Sequence, residues 1–295
     1  MRTLTVPATS ANLGPGFDCL GLALSCYNTI TFEFIESGLH IELEPCDLSH
    51  IPADSRNLIY RVFCRVLKTY GITPPGVHFA QVNEIPSMRG LGSSAASVVG
   101  GVVMADTYMG FKMTKQEMLD ICASQEGHPD NILPALLGGL TVGCMDNGHV
   151  RYLRMDAPKS LRLAVFIPPF SLSTRKARSV LPKTVPLEDA VFNLTRAALL
   201  TAALATSELS ALPFAVNDRL HQPYRKSLVP GYDDIAQLAD ANGALATYLS
   251  GAGPALISFF DKSPSLESLT DKLESLHKGW QVRLLCVDSQ GYRLE

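Results

Sequence analysis

The chain has 295 residues, 46% hydrophobic and 18% charged, with 25 basic against 28 acidic side chains for a formal net charge of −3. That length holds two ordinary domains or one large one, and the low charged fraction excludes a disordered polar chain. The slight acidic excess excludes the basic footprint that a nucleic-acid backbone requires, while leaving room for a local site for a small anion.

Thr29 to Ile35 and Leu39 to Leu43 alternate apolar and polar residues and read as half-buried strands. From Asn57 the spacing turns helical, with Leu58, Ile59, Val62, Phe63, Val66 and Leu67 on one stripe, ended by Gly71 and the Pro74-Pro75-Gly76 run. Val77 to Val82 predicts a strand, and a helix of small residues follows from about Ser94 to Met109. Thr114-Lys115-Gln116-Glu117 is a capping box that opens the next helix. Leu140–Met145 and Val150–Met155 predict a hairpin turning through Asp146-Asn147-Gly148. A short polar stretch at Ala157–Ser160 suggests a domain boundary, giving units 1–156 and 157–295.

Beyond it the pattern predicts a strand at 161–167, a long helix at 187–206, a helix at 233–241 and strands at 244–249 and 255–260. A helix at 264–277, capped by Ser263 with Pro264 at its first position, and a strand at 281–287 complete the chain. Strand, turn, strand, helix, strand is an α+β layer pattern. The seven cysteines, Cys19, Cys26, Cys46, Cys64, Cys122, Cys144 and Cys286, show no C-x-x-C spacing. They read as reduced small hydrophobes rather than a disulfide or zinc framework. Apolar runs stop short of a membrane span and Met1–Pro7 lacks a secretory pattern, so a cytoplasmic protein with no membrane partner is expected.

Three segments carry chemistry. In Pro86-Ser87-Met88-Arg89-Gly90-Leu91-Gly92-Ser93-Ser94-Ala95-Ala96, two glycines bare backbone N–H groups ahead of a helix start, an arrangement that suits phosphate. It lacks the Gly-Lys-Ser/Thr ending of a Walker A loop. Pro7 to Gly21 offers Asn12 and Asp18 among three glycines and two prolines, and Ser250-Gly251-Ala252-Gly253-Pro254 joins two apolar strands. Taken singly, each is equally readable as an ordinary turn.

Their order resembles the three motifs of the GHMP kinases. The long first motif, Glu126-Gly127-His128-Pro129-Asp130-Asn131, Ser173 to Arg178 and Gln222-Pro223-Tyr224-Arg225 are similar to the homoserine kinase branch of that family. The resemblance runs from Pro7 to Pro254. It implies an α+β fold of two domains, an N-terminal ribosomal-protein-like α/β domain with the phosphate loop and a C-terminal ferredoxin-like domain. It also implies ATP-dependent phosphorylation of the L-homoserine hydroxyl on the way to threonine, with Mg²⁺, and a homodimer.

Residue by residue, the resemblance places Pro86, Arg89, Gly90, Leu91, Gly92, Ser93, Ser94, Ala95 and Ala96 around the ATP phosphates and Asn57 at adenine. Ser94 and Glu126 would hold Mg²⁺, a hard cation that prefers oxygen ligands. Asn12, Asp18, His128, Thr174, Arg178 and Arg225 would surround L-homoserine, with Arg178, Asn131 and Asp130 in the catalytic set. Asp130 is expected to organise the site and not to serve as an essential base. Met88 stands where the family usually has a small residue, which bears on the shape of the phosphate loop.

Overall fold

The computed structural model describes residues 1–44 and 51–295. Cys46 lies outside the described residues, and the other six cysteines are free thiols.

The chain begins with two long strands, β1 (Arg2–Ala11) and β2 (Leu20–Ile35), paired antiparallel from Arg2–Phe32 to Ala11–Gly21. β3 (Leu39–Leu43), α1 (Leu58–Thr69) and β4 (Gly76–Asn83) follow, with β4 antiparallel to β2 and parallel to β3. Then come α2 (Ser93–Tyr108), α3 (Lys115–Glu126), α4 (Ile132–Leu137) and the hairpin β5 (Leu140–Asp146) to β6 (His149–Met155). Asn147 and Gly148 turn that hairpin at φ 50° and 83°, the left-handed pair its tight turn requires. The helix α3 opens on the expected box, Thr114 and Glu117 each satisfying the other's backbone N–H.

The second half holds β7 (Arg162–Ile167), α5 (Thr174–Ser179), α6 (Leu187–Thr206), α7 (Leu212–Ala215), α8 (Gln222–Arg225) and α9 (Tyr232–Asp240). It closes with β8 (Ala246–Leu249), β9 (Leu256–Phe260), α10 (Leu266–Leu276), β10 (Gln281–Leu285) and β11 (Arg293–Leu294). The antiparallel sheet β10-β7-β9-β8 carries α9 and α10 on one face. Along β7, Ala164 and Phe166 pack under those helices with Leu269 and Leu273, while Leu163, Val165 and Ile167 face the core of the first half. Both faces are therefore buried, which explains why β7 and β9 read as continuous apolar runs rather than alternating ones.

Two expectations change. The cap of α10 is Ser265, whose side chain accepts from the Ser268 N–H, so Pro264 lies outside the helix. The strand expected to close the chain at 281–287 ends at Leu285 as β10, and a further strand, β11, pairs with β1, while the Asp288 N–H donates to the Ala23 carbonyl. Among the described residues, no helix is long and apolar enough to cross a membrane.

Candidate active site

The loop leaving β1 is bent sharply. Asn12, Leu13 and Asp18 hold φ of 69°, 48° and 56°, a region that costs a non-glycine residue about 1–2 kcal/mol. The Asn12 amide offsets this from both ends. Its Nδ2 donates to the Gly251 carbonyl at 2.9 Å, and its Oδ1 accepts from the Asp18 N–H at 2.9 Å. The resemblance places Asn12 at the substrate; in the structure it lines the cavity and its amide fixes Asp18 against the Gly251 turn.

The phosphate-type loop packs on the same turn. Ser250 Oγ donates to the Gly90 carbonyl at 2.7 Å, and the Ala255 N–H donates to the Arg89 carbonyl at 3.1 Å. Gly92, at φ 71°, precedes α2, whose first turn has no side-chain cap, so bare amides and the positive end of the helix dipole face the cavity. The Arg89 guanidinium turns away and donates to the carbonyls of Ser87, Pro168 and Pro169. Met88 adopts φ 55° and its carbonyl accepts from the Leu172 N–H, a further tie between the halves. Ser94 Oγ donates to Glu126 Oε1 at 2.5 Å, so residues 32 positions apart present two hard oxygens side by side.

Across the cavity sits a charged group. Arg178 reaches Asp18 with both terminal nitrogens, at 3.1 and 2.7 Å, the fork-on-carboxylate geometry. Arg225 is only 1% exposed. Its Nε donates to the Ala177 carbonyl, and its Nη1 to His221 Nδ1 and the Gly251 carbonyl, while Nη2 has no acceptor among the described residues. Burial and then the positive Arg178 pull the Arg225 pKa down to about 10, and among the described residues no carboxylate hydrogen-bonds the guanidinium, which leaves the cavity primed for an anion. His128 hydrogen-bonds through Nδ1 to Asp130, and Thr9 Oγ1 orients Asn131 by donating to its Oδ1 at 2.7 Å. Burial works to lower the His128 pKa, but the Asp130 hydrogen bond and charge outweigh it and the net shift is upward.

These groups line one cavity of about 260 Å³, together with Pro86, Leu91, Ser93, Ala95 and Thr174. Two of the expected residues are not on its wall. Ala96 is fully buried in helix packing. Asn57 caps α1: its Oδ1 accepts from the Ile59 N–H and its Nδ2 donates to the Pro52 carbonyl, leaving the side chain 1% exposed. Instead Leu58, Val62 and Val98 line an adjoining 180 Å³ cavity that shares Ser94 and Glu126 with the first. Sequence reasoning also left Gly251, Ala252 and Gly253 out of the site, although the Ser-Gly-x-Gly-Pro motif pointed to them; they line the cavity where their turn packs against Gly90. Asp18, His128 and Asp130 offer atoms within 4.8 Å of one another, but Arg178 and the His128–Asp130 bond already occupy them.

Residues 57–139 match the GHMP kinases N terminal domain and residues 200–278 the GHMP kinases C terminal domain. The chain is 44% identical to the homoserine kinase of Caldicellulosiruptor saccharolyticus, covering 99% of this chain and 96% of that protein. It is 43% identical to the homoserine kinase of Petrotoga mobilis, covering 99% and 95%. The crystal structure of homoserine kinase from Cytophaga hutchinsonii superposes with a TM-score of 0.88 at 27% identity, over 99% of this chain and 96% of that one. The two-domain α+β architecture and the three interlocked loops are thus those of a known group, and the chain belongs to the homoserine kinases of the GHMP kinase family.

Proposed function

We infer that this chain transfers the γ-phosphoryl group of ATP to the hydroxyl of L-homoserine, giving O-phospho-L-homoserine. The observation that carries the reading is the buried Arg225, with Nη2 unengaged, across the cavity from the uncapped start of α2. One wall suits a polyphosphate and the other a small zwitterion. Asp18 receives the substrate ammonium, and Arg225 with Arg178 receives its carboxylate. Thr174 lines the same wall, and His128, Asp130 and Asn131 hold the floor where the hydroxyl lies.

Phosphoryl transfer through a loose transition state depends mainly on positioning and charge neutralisation. The amides of Gly92 to Ala95 and the α2 dipole supply both for the phosphates. Asp130, with one oxygen held by His128, keeps Asn131 and the substrate in register as an organiser. Adenine fits the apolar wall of Leu58, Val62 and Val98 in the adjoining cavity.

Mg²⁺ is the ion this reading assigns to Ser94 and Glu126. Their oxygens lie 2.5 Å apart on the cavity wall, and Mg²⁺ ligands at about 2.1 Å in octahedral geometry sit about 3 Å from each other, so a small opening admits the ion. When bound, it neutralises phosphate charge. Ser94→Ala is expected to lower kcat by roughly tenfold or more and to raise the Mg²⁺ concentration for half-maximal rate. A wild-type Mg²⁺ titration in that variant would remove Ser94 from the metal site.

A second copy of the chain is the partner assigned here. In support, Leu187, Val191 and Leu194 lie on one exposed face of α6, at a spacing that forms a continuous apolar stripe. Sedimentation equilibrium should return twice the chain mass; a monomer at micromolar concentration contradicts the assignment.

The experiment that tests the function is ADP release with ATP and Mg²⁺ across L-homoserine, L-serine, L-threonine, mevalonate and galactose. Preference for L-homoserine is the expected result. Preference for an acceptor without an ammonium would overturn the substrate and the assigned role of Asp18, and preference for galactose, which also lacks a carboxylate, would overturn that of Arg225 as well.

A further inference from the structure

His221 is fully buried, and no step above uses it. It stands one residue ahead of α8, where the Asp218 carboxylate accepts from the backbone N–H groups of Leu220, His221 and Gln222 and so sets the start of that helix. The ring stacks on Phe17 at a centroid distance of 5.2 Å, and Phe17 also lies under the guanidinium groups of Arg178 and Arg225.

Both ring nitrogens are committed. Nε2 lies 2.7 Å from the Gly14 carbonyl, an atom that can only accept, so Nε2 carries the proton. Nδ1 lies 3.2 Å from Arg225 Nη1, a group that can only donate, so Nδ1 offers its lone pair. Asp218 Oδ2, at 3.6 Å from Nε2, is beyond hydrogen-bond distance and is occupied by backbone N–H groups. Burial and the adjacent Arg225 charge work against protonating the ring, and the Asp218 charge works the other way; the net shift is downward. A protonated Nδ1 would confront the guanidinium donor to donor.

We propose that His221 is a positioning residue for substrate recognition: the Gly14 carbonyl fixes its tautomer, and its Nδ1 holds the Arg225 guanidinium turned so that Nη2 faces the substrate carboxylate. With Nε on the Ala177 carbonyl and Nη1 shared between His221 and Gly251, the guanidinium plane is pinned on two edges and the third is left for the ligand. The first loop thereby sets substrate affinity through Gly14, which touches no substrate. This inference rests on the reading that Arg225 binds the carboxylate.

Two variants separate the ring atoms. His221→Gln puts an amide N–H where Nε2 lies and removes the acceptor for Arg225, whereas His221→Asn puts a carbonyl oxygen where Nδ1 lies and keeps it. His221→Gln is expected to raise KM for L-homoserine about tenfold, with KM for ATP and kcat at saturating homoserine unchanged. His221→Asn is expected to recover most of that loss. The inhibition constant of 3-aminopropan-1-ol, which has the ammonium and hydroxyl but no carboxylate, is expected to stay constant in both.

Equal losses in the two variants, or equal losses for the two ligands, would overturn the role of His221. Arg225→Leu measured alongside separates the layers. If it leaves the preference for homoserine over the carboxylate-free analogue intact, the carboxylate reading itself fails. If it removes that preference while His221→Gln changes nothing, only the His221 inference fails. Should the glutamine variant not fold, ¹⁵N NMR of the histidines in the unaltered enzyme near neutral pH decides. An Nε2-protonated neutral ring at His221 supports the proposal, and an Nδ1-protonated ring or an imidazolium overturns it.

Discussion

Arg225→Leu is expected to raise KM for L-homoserine by about a hundredfold while leaving KM for ATP within a factor of about two. The reasoning starts from a mismatch inside the fold. A guanidinium that is 1% exposed donates to two carbonyls and an imidazole, yet pairs directly with no carboxylate. Taking a charge out of water without a counter-ion is expensive, and its pKa, pulled down to about 10, records that strain. A substrate carboxylate supplies the missing charge through bonds worth about 1.5–3 kcal/mol. Leucine removes those bonds but leaves Gly90, Gly92 and the start of α2 untouched, which is why the nucleotide should not notice. If KM for ATP rises instead, Arg225 serves the phosphates and the two walls of the cavity have been exchanged.

Gly90→Ala carries the other large effect. At φ 75°, an added methyl group enters a region that costs alanine about 1 kcal/mol before any contact is counted. Its Cβ would also sit 2.3 Å from the Ser250 carbonyl oxygen and 2.9 Å from that of Gly253, both backbone atoms with little room to yield. The Ser250 Oγ bond to the Gly90 carbonyl and the Ala255 bond to Arg89 hold these loops face to face, so relieving the clash means parting the halves of the molecule at the phosphate site. Denaturant unfolding should show a loss of about 2–4 kcal/mol, and ATP binding should weaken by more than tenfold. Unchanged stability with unchanged ATP affinity would show that the Ser250–Pro254 turn can move freely, and that its contact with Gly90 organises nothing.

Much of the architecture was legible before any coordinates. The long helix from Leu187 to Thr206, the Thr114 capping box and the Asp146-Asn147-Gly148 turn all correspond to observed elements, because each depends on side chains close together along the chain. The cap of α10 shows the limit of such reasoning. Ser263-Pro264 satisfies the local rule for a helix start, but Ser265 is equally able to cap, and the chain uses the later one. Asn57 met the same ambiguity: it suited both an adenine contact and a helix cap, and the structure commits both ends of its amide to the second setting.

The site itself divides along the same line. Sequence alone determined which segments carry chemistry, since the glycine-rich loop before a small-residue helix and the ordered motifs around Asn12, Ser94 and Gly251 are properties of short stretches. Residue type and spacing alone did not distinguish Arg225 and Arg178 from solvated surface charges, the family resemblance being what placed them at the substrate, and nothing in the sequence singled out His221. Those assignments depend on contacts between residues 160 to 240 positions apart, such as Arg178 with Asp18, His221 with Gly14 and Asn12 with Gly251. Periodicity and capping act within a few residues of chain. The tertiary structure decided the rest: two sheets packed through a shared apolar core bring the three loops together, and that same burial strips water from Arg225 and makes it a receptor for a carboxylate.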